Sequence, residues 1–457
     1  MTEGSLWNKI LLFALPLAAT GILQQLFNAA DIAIVGNYTG DFGPLAMAAV
    51  GANSPLVGLV THLFVGIALG TNVVIANAVG RGDNDSISKA VHTSVMVAII
   101  GGILFAVAAQ IYAVPILSSQ NVPEEVLPYA VTYFKIYMLG LPIILLYNFE
   151  AAIFRGMGDT STPLISLMVS GVLNVGLNLF FVLYLKMTVD GVAIATVAST
   201  AASTVFLLIW LIKKDSPSKV TIRKLRIDLR ILGKIMKIGI PAGIQSTVFG
   251  VANIIIQASV NSLGTIVMAA SSAAYNIELF AYSVLNSFSQ ACTTFVGQNF
   301  GAGKIDRCKK ALKLCWLEGV IAMFTAVAVI LFFGRDLLGL FNKNEEVIEI
   351  GYLRLIILFT AYIFTLSYEA ISGYLRGFGI SLIPAVLTTI CICGVRLSWI
   401  YFVFERHRSF GIIMVAYPLS LATTAAVLFA ALMILRPSRE ALAAQKEKEK
   451  KESTYWE

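Results

Sequence analysis

Long apolar runs follow one another along almost the whole chain. Twelve of them precede the charged C-terminal residues, and each is long enough for the roughly 20 residues that an α-helix needs to cross a bilayer core. Charged residues make up only 13% of the chain, whereas soluble domains carry about 25%. Because the runs do not alternate apolar and polar residues, a β-barrel is excluded and helices are the remaining way to span lipid. We therefore predict an all-α polytopic membrane protein with twelve transmembrane helices. The predicted spans are residues 10–35, 44–78, 91–114, 129–154, 164–185, 191–212, 236–262, 267–298, 312–334, 349–375, 382–404 and 410–435.

Lys and Arg are unevenly shared among the predicted loops. With the N-terminus inside, most of the 33 basic residues fall on the cytoplasmic side, notably in 213–237, in 304–313 and after Leu435. The positive-inside rule therefore predicts a multi-pass protein of the plasma (inner) membrane with both termini in the cytoplasm. The net charge of +7 then follows from topology, so we expect the lipid bilayer as surroundings, no nucleic-acid partner and a monomer. The first run continues as a span, so no cleavable signal peptide is expected.

The two halves of the chain resemble each other in sequence. Residues 154–164 read FRGMGDTSTPL and residues 375–385 read LRGFGISLIPA. Six spans in each half make this a parallel repeat, related by a pseudo-two-fold axis along the membrane normal. Secondary transporters use such repeats and bind substrate between them. The matching residues 221 positions apart include Arg155 and Arg376, Gly156 and Gly377, Gly158 and Gly379, and Pro163 and Pro384.

The repeat divides the chain into five predicted segments. A cytoplasmic N-terminus (1–9) precedes an N-terminal lobe of six spans (10–212). A basic interlobe loop (213–235) then leads to a C-terminal lobe of six spans (236–435) and a charged cytoplasmic tail (436–457).

Glycine and proline mark the turns and bends of this scaffold. We expect the paired Arg-Gly turns to cap spans 4 and 10, since glycine permits the chain reversal and arginine meets helix carbonyls and lipid head groups. Pro16 and Pro241 lie at matching points of spans 1 and 7. A proline inside a helix frees a carbonyl and bends the axis, so this pair is predicted to form hinges.

Polar residues form one stripe along the first span. Thr20, Gln24, Asn28 and Asp31 recur at helical spacing, so the stripe must face protein or water. An ionised group inside a membrane helix costs about 2.5–3.5 kcal/mol on insertion scales, which makes Asp31 a functional candidate. Gln24 and Asn28 are predicted to line the same cavity. The alternative is that Asp31 fixes helix packing with Gln24 and Asn28.

Several motifs at the right offsets resemble the multidrug and toxic compound extrusion (MATE) family, in its proton-coupled bacterial form. They are FNAAD followed by VG in span 1, ANAVGRGD at the end of span 2, VGQNFGAGK at the end of span 8, and the paired RGxG turns with their prolines. The resemblance covers residues 6–435. It implies a twelve-helix, two-lobed antiporter that expels amphiphilic organic cations in exchange for H⁺ or Na⁺.

The resemblance also implies a coupling site in the N-terminal lobe. The family has an Asp, then Asn and Asp four residues apart, then a Thr, and these match Asp31, Asn174, Asn178 and Thr196. Asn178 stands where the family commonly has Asp, so Asp31 alone can carry a proton and a Na⁺ ion would meet one formal charge. This favours H⁺ over Na⁺ as the coupling ion. No other cofactor and no structural metal are expected.

Three further acids are candidates for the cavity. Glu278 lies in span 8, whereas Glu150 and Glu369 lie in spans 4 and 10, one helical turn from the Arg-Gly turns. Ion pairing with a nearby arginine is the alternative for Glu150 and Glu369. Arg396 is expected to be such a partner or to snorkel, and Arg354 lies close enough to a span end to reach head groups.

Other classes of protein fit the sequence less well. A flippase of lipid-linked sugars on the same architecture needs a cationic cavity for phosphates, and a transporter of the major facilitator fold lacks these Arg-Gly turns. An enzyme is not expected, because the chain contains no HExxH, GxSxG or P-loop motif.

Overall fold

The computed structural model describes residues 1–38, 42–120, 122–443 and 445, and the regular structure in this part of the chain is helical. Most of the predicted charged tail (436–457) lies outside the described residues. Three π-helical segments, 180–184, 390–394 and 400–404, extend or interrupt the α-helices, and residues 222–224 form a 3₁₀ turn. The α-helices are α1 (Leu6–Tyr38), α2 (Gly43–Arg81), α3 (Asn84–Ser119), α4 (Leu127–Leu139), α5 (Leu141–Met157), α6 (Ser161–Leu179), α7 (Val189–Lys213), α8 (Leu229–Asn261), α9 (Thr265–Gly301), α10 (Ile305–Phe332), α11 (Gly334–Phe341), α12 (Glu345–Thr360), α13 (Tyr362–Gly377), α14 (Leu382–Thr389), α15 (Val395–Trp399) and α16 (Phe410–Leu435).

The helices account for the predicted spans. Within the described residues, nine helices are long and apolar enough to cross a membrane, and the pairs α4–α5 and α12–α13 pass the same test as two bent spans. The remaining predicted span, 267–298, corresponds to α9, which is 37 residues long but more polar. The predicted all-α polytopic class is therefore confirmed, with eleven spans by the apolar criterion and twelve when α9 is included.

The repeat is visible in the backbone. Gly158 and Gly379 have φ of 95° and 83°, and Gly82 and Gly303 have φ of 68° and 71°. Each pair is 221 residues apart. Both Arg-Gly turns close with a bond across the helix end, from the amide of residue 159 to Phe154 O (2.9 Å) and from the amide of residue 380 to Leu375 O (3.0 Å). Glycine is required because this left-handed cap is costly for residues with a Cβ.

The repeat is also visible in helix bending and packing. The bends of α4–α5 and α12–α13 are both 48°. Gly156 packs so closely on α2 that a Cβ there would lie 2.9 Å from Ile75, and a Cβ on Gly377 would lie 2.6 Å from Val296 of α9. Ile75 and Val296 are again 221 residues apart, so each half uses the same glycine to bring the same two helices together.

Contacts divide the chain into two compact units. The first contains Met1–Ala19, Ala76–Asp83 and the residues from Ile244 onward, and the second contains Thr20–Ile75 and Asn84–Gly243. The lobes predicted from the sequence, 10–212 and 236–435, were drawn as continuous segments. The first unit instead includes the start of α1 and the end of α2, and the second includes the start of α8, so the lobe boundaries stay a prediction.

The first unit contains a reciprocal contact between repeat-related positions of α2 and α9. A Cβ on Gly80 would overlap the carbonyl group of Gln298, and a Cβ on Gly301 would overlap the carbonyl group of Asn77. Gly80 corresponds to Gly301 and Asn77 to Gln298 at the 221-residue offset. A contact to which both sides contribute corresponding residues is expected where two segments are related by a two-fold axis.

The predicted interlobe loop packs against α3 within the second unit. The amide of Thr221 donates to His92 Nε2 and the amide of Asp228 donates to Thr93 Oγ1, both at 3.0 Å. Asp228 Oδ1 accepts from the amide of Ile231 at 3.0 Å and so caps the start of α8. That backbone hydrogen bond lowers the pKa of Asp228, so the cap is present when the carboxyl is ionised and is lost as pH falls through the lowered pKa.

Candidate functional site

Asp31 lies near the end of α1, where α6 and α7 supply its hydrogen-bond donors. Asn178 Nδ2 donates to Asp31 Oδ1 at 2.6 Å, and Thr196 Oγ1 lies 3.5 Å from Asp31 Oδ2. The Thr196 hydroxyl has one proton and also lies 2.9 Å from the carbonyl of Val192, so its bond to Asp31 is the weaker of the two. The carboxylate therefore has one short hydrogen bond and room for another ligand.

The two asparagines of α6 share one face of the helix, as their spacing predicts. Asn178 Nδ2 also donates to Asn174 Oδ1 at 3.2 Å, and both side chains are buried. Asn178 Oδ1 is buried without a hydrogen-bond partner in the described part of the chain. The four positions matched by family resemblance thus converge around one formal charge.

The polar stripe of α1 does not continue this network. Gln24 and Asn28 are exposed, whereas Asp31 bonds to Asn178 and Thr196 and more weakly to Asn174 among the described residues. The alternative in which Asp31 packs with Gln24 and Asn28 is therefore wrong about its partners. That these two side chains line a cavity stays a prediction.

Two tyrosines that the sequence did not single out lie near the acid. Tyr133 and Tyr137 of α4 stack with ring centroids 6.0 Å apart, and both interact electrostatically with Asp31. Their spacing of four on a predicted span was the available signal, but many aromatic pairs in this chain share such spacing. The faces of these rings are suited to organic cations.

Glu278 is part of a buried ion pair in the C-terminal half. Arg354 Nη2 lies 3.1 Å from Glu278 Oε2, and Arg354 also donates to Ser271. The Arg354 side chain is only 3% exposed, so the expectation that it reaches head groups is wrong. The reason is that its face of α12 packs on α9, where Glu278 provides a counter-ion.

Arg396 is also interior. It is 8% exposed, its Nε donates to Ser420 Oγ at 2.9 Å, and its guanidinium lies 4.2 Å from the centre of the Tyr417 ring. It therefore neither snorkels nor forms an ion pair within the described residues.

Glu369 and Glu150 are buried and have no arginine partner among the described residues, so the ion-pair alternative is wrong for both. Glu369 accepts from Tyr282 Oη at 3.3 Å and from Ser289 Oγ at 3.1 Å. Glu150 is fully buried, and its carboxyl oxygens have no hydrogen-bond partner among the described residues. Glu318 of α10, which the sequence did not single out, is in the same situation.

The arginines of the paired turns have different partners. Arg155 Nε donates to the carbonyl of Ala151 at 3.1 Å, one turn back, as predicted for a residue that meets helix carbonyls. Arg376 Nη2 instead donates to Gln245 Oε1 at 2.9 Å. Neither contact places these residues with Asp31.

The two predicted hinge prolines lie inside helices. Pro16 is in α1 and Pro241 is in α8. In both helices the chain changes from one compact unit to the other within three residues of the proline, after Ala19 and after Gly243. The hinge role itself stays a prediction.

These features define the class of the protein. It is a polytopic helical membrane protein with a parallel internal repeat and carboxyl groups held among its helices. A model of the MatE family matches residues 16–180 and 241–402, one stretch in each half. The chain therefore belongs to the MatE family, and the family resemblance seen in the sequence is confirmed. Members of this family are membrane transporters, so the protein is a transporter and not an enzyme.

Curated relatives match over nearly the full length. The "Probable multidrug resistance protein YoeA" of Bacillus subtilis is 28% identical over 438 residues, which is 94% of each chain. The "Probable multidrug resistance protein NorM" of Thermotoga maritima is 26% identical over 418 residues, covering 89% of this chain and 87% of the relative.

Solved structures share the fold. An outward-facing multidrug resistance MATE family transporter of the MOP superfamily superimposes with a TM-score of 0.87 at 22% identity, over 97% of this chain and 98% of that one. A MATE structure in the bent conformation gives a TM-score of 0.85 at 21% identity, with 96% of both chains covered.

Proposed function

We propose that the protein is a multidrug efflux transporter that exports amphiphilic organic cations in exchange for H⁺. The names of the curated relatives support multidrug export. The observation that carries the proposal is the bonding of Asp31: among the described residues its hydrogen-bond donors are neutral, and the short bond comes from Asn178. We place the protein in the plasma membrane with both termini in the cytoplasm, on the distribution of Lys and Arg.

Proton and drug compete for one carboxylate in this mechanism. Asp31 takes up a proton on the acidic outer side and releases it to the neutral interior, where the organic cation replaces it. Asn178 cannot carry a proton, so one H⁺ is exchanged for one monovalent cation without net charge movement. Each pH unit supplies about 1.4 kcal/mol, enough for roughly tenfold accumulation.

The aromatic pair on α4 supports an organic cation as cargo. Tyr133 and Tyr137 present stacked rings within electrostatic reach of Asp31. A cation over an aromatic face gains about 0.5–2 kcal/mol, more when water is excluded. Bending at Pro16 and Pro241 is the proposed motion that alternates access.

Na⁺ is the second candidate for the coupling ion. Asn178 Oδ1 is a buried oxygen without a donor among the described residues, and Asn174, Thr196 and Asp31 supply further oxygens beside it. Hard cations prefer such ligands, although a single carboxylate weakens the site. A flippase of lipid-linked sugars is less supported, because the Asp31 cluster is acidic and the cargo would carry phosphates.

Flux in proteoliposomes under separately imposed H⁺ and Na⁺ gradients tests the proposal. We expect a pH gradient to drive uptake of a fluorescent organic cation, and Asp31→Asn to abolish it. Asp190→Asn is the matched control, since Asp190 lies on α7 with Thr196 but accepts from the amide of Thr188 at 2.9 Å. If the purified Asp31→Asn protein is folded and its flux equals that of the wild type, the mechanism is contradicted. If flux in the wild type is driven only by a Na⁺ gradient, Na⁺ replaces H⁺ as the coupling ion.

A further inference from the structure

A second charged cluster lies inside the C-terminal half, and the proposed export mechanism does not use it. Arg354 of α12 and Arg396 of α15 are both buried. Their guanidinium groups lie 5.8 Å and 4.2 Å from the ring centre of the same residue, Tyr417 of α16. Two like charges therefore share one aromatic ring in a region shielded from water.

The positive charge of this cluster is only partly compensated. Glu278 pairs with Arg354 at 3.1 Å, whereas the neutral Ser420 is the hydrogen-bond acceptor of Arg396. No acid of the described residues lies within 4.0 Å of Arg396, and Glu369 accepts its hydrogen bonds from Tyr282 and Ser289. An uncompensated buried charge costs several kcal/mol, so the site favours an added anion.

The cluster also has an unused donor and an exposed aromatic ring beside it. Arg354 Nε is buried without an acceptor among the described residues. Tyr275 lies 5.7 Å from the Arg354 guanidinium, measured to the ring centre, and is 41% exposed. An arginine fork matches the geometry of a carboxylate, and an exposed tyrosine ring gives the attached aromatic group a surface on which to stack.

We propose that Arg354, Arg396 and the rings of Tyr275 and Tyr417 form a subsite for the carboxylate of an aromatic substrate. Glu278 holds part of the Arg354 fork when the subsite is empty. The inference rests on the proposed export of amphiphilic cations and assigns residues of this half of the chain to the carboxylate of a substrate that carries both an aromatic cation and a carboxylate.

A matched pair of dyes tests the subsite by equilibrium binding. Rhodamine 19 carries a free carboxylate, and rhodamine 6G is its ethyl ester, so the two share one cationic ring system. Fluorescence polarisation is measured with the purified full-length protein, wild type and Arg396→Gln. We expect Arg396→Gln to weaken binding of the acid at least about tenfold more than binding of the ester, the loss typical of a charge-assisted bond. Equal effects on both dyes would overturn the inference.

A thermal-shift experiment keeps the inference testable if the arginine variant does not fold. Glu278→Gln removes the internal counter-ion, so it should melt below wild type, and sodium benzoate should raise its melting temperature more than that of wild type. Benzamide, which has the same shape without the charge, should raise neither. Equal shifts with benzoate and benzamide would overturn the inference.

Neither measurement uses an ion gradient. A negative result in either one therefore counts against the subsite and not against the proposed coupling. Binding that distinguishes the acid from the ester, with no gradient-driven flux, would keep the subsite and remove the antiport mechanism. Flux of the ester with no such distinction would do the reverse.

Discussion

In the proposed exchange, the hydrogen bonding of Asp31 is the reason that a single acid is enough. A carboxylate can accept about four hydrogen bonds, and among the described residues Asp31 has one short bond from Asn178 and weaker contacts with Thr196 and Asn174. A fully satisfied carboxylate would hold its charge permanently and would gain little from a proton or a cargo ion. In this proposal, the open capacity of Asp31 allows the proton and the cargo ion to replace each other.

Restoring a second acid should change the ion that the site prefers. In Asn178→Asp, two carboxylates would stand where Nδ2 and Oδ1 are now 2.6 Å apart. Like charges at that distance cannot both ionise without a cation, so the pair should either share a proton or bind Na⁺. We expect the Na⁺ concentration for half-maximal flux to fall at least about tenfold, measured at constant pH with K⁺ as the matched ion. Na⁺ dependence no stronger than in wild type would contradict this interpretation of Asn178.

The placement of the site depends on how α6 and α7 pack. Ser166 Oγ hydrogen-bonds to Ser203 Oγ at 2.5 Å, and Ser170 Oγ donates to the carbonyl of Ser199 at 2.7 Å. These serines continue the face of α6 that carries Asn178. Small polar residues let helices approach closely in a membrane and hydrogen-bond across the contact. The result is a fixed register between α6 and α7, which brings Asn178 and Thr196 to the same carboxylate.

The contact of α1 with α6 depends on one glycine. A Cβ on Gly171 would overlap the ring of Phe27, which lies one turn before Asp31 on α1. We expect Gly171→Ala to destabilise the protein by about 1–3 kcal/mol, as overpacking does, and to reduce drug flux because Asp31 moves with Phe27. The thermal unfolding of the purified variant and its flux in proteoliposomes are the measurements.

Gly176 provides the matched control on the same helix. A Cβ there would meet nothing within 4 Å, so Gly176→Ala should be neutral or stabilising by up to about 1 kcal/mol through helix propensity. Equal melting temperatures for the two alanine variants would show that the Phe27 contact does not hold α1 in place.

At the scale of the whole molecule, the sequence predicted those features of the fold that can be recognised within single segments of the chain. Apolar length located the spans, and the 221-residue offset located the two halves, because a duplicated fold repeats its turn glycines and close contacts. The grouping of Asn174, Asn178 and Thr196 around Asp31 was predicted through family resemblance. The pairing of Glu278 with Arg354 was missed, since it depends on the rotation of α9 against α12, which hydropathy does not report. The matching 48° bends were missed because Gly140 and Ala361, where they occur, share no sequence signal.

The composition of the compact units shows how the duplicated halves are joined. Residues Ala76–Asp83 at the end of α2 belong to the first unit together with α9. Within that unit, Gly80 and Gly301 face the carbonyl groups of Gln298 and Asn77. Because each glycine faces backbone atoms, an added methyl group cannot be accommodated by a change of side-chain rotamer and the helices must move.

This reciprocal contact makes a prediction about two substitutions together. Gly80→Ala and Gly301→Ala should each lower the stability by about 1–3 kcal/mol, since a methyl group forces the helix ends apart. Once one methyl has separated them, the second should cost less, so the double variant should lose less than the sum of the single losses. Thermal unfolding of the four proteins measures this, and Gly250→Ala on α8, with nothing within 4 Å of its Cβ, is the control expected to be neutral. Additive losses would mean that Gly80 and Gly301 act in separate contacts and that the two-fold relation of the repeat is not used there to join α2 with α9.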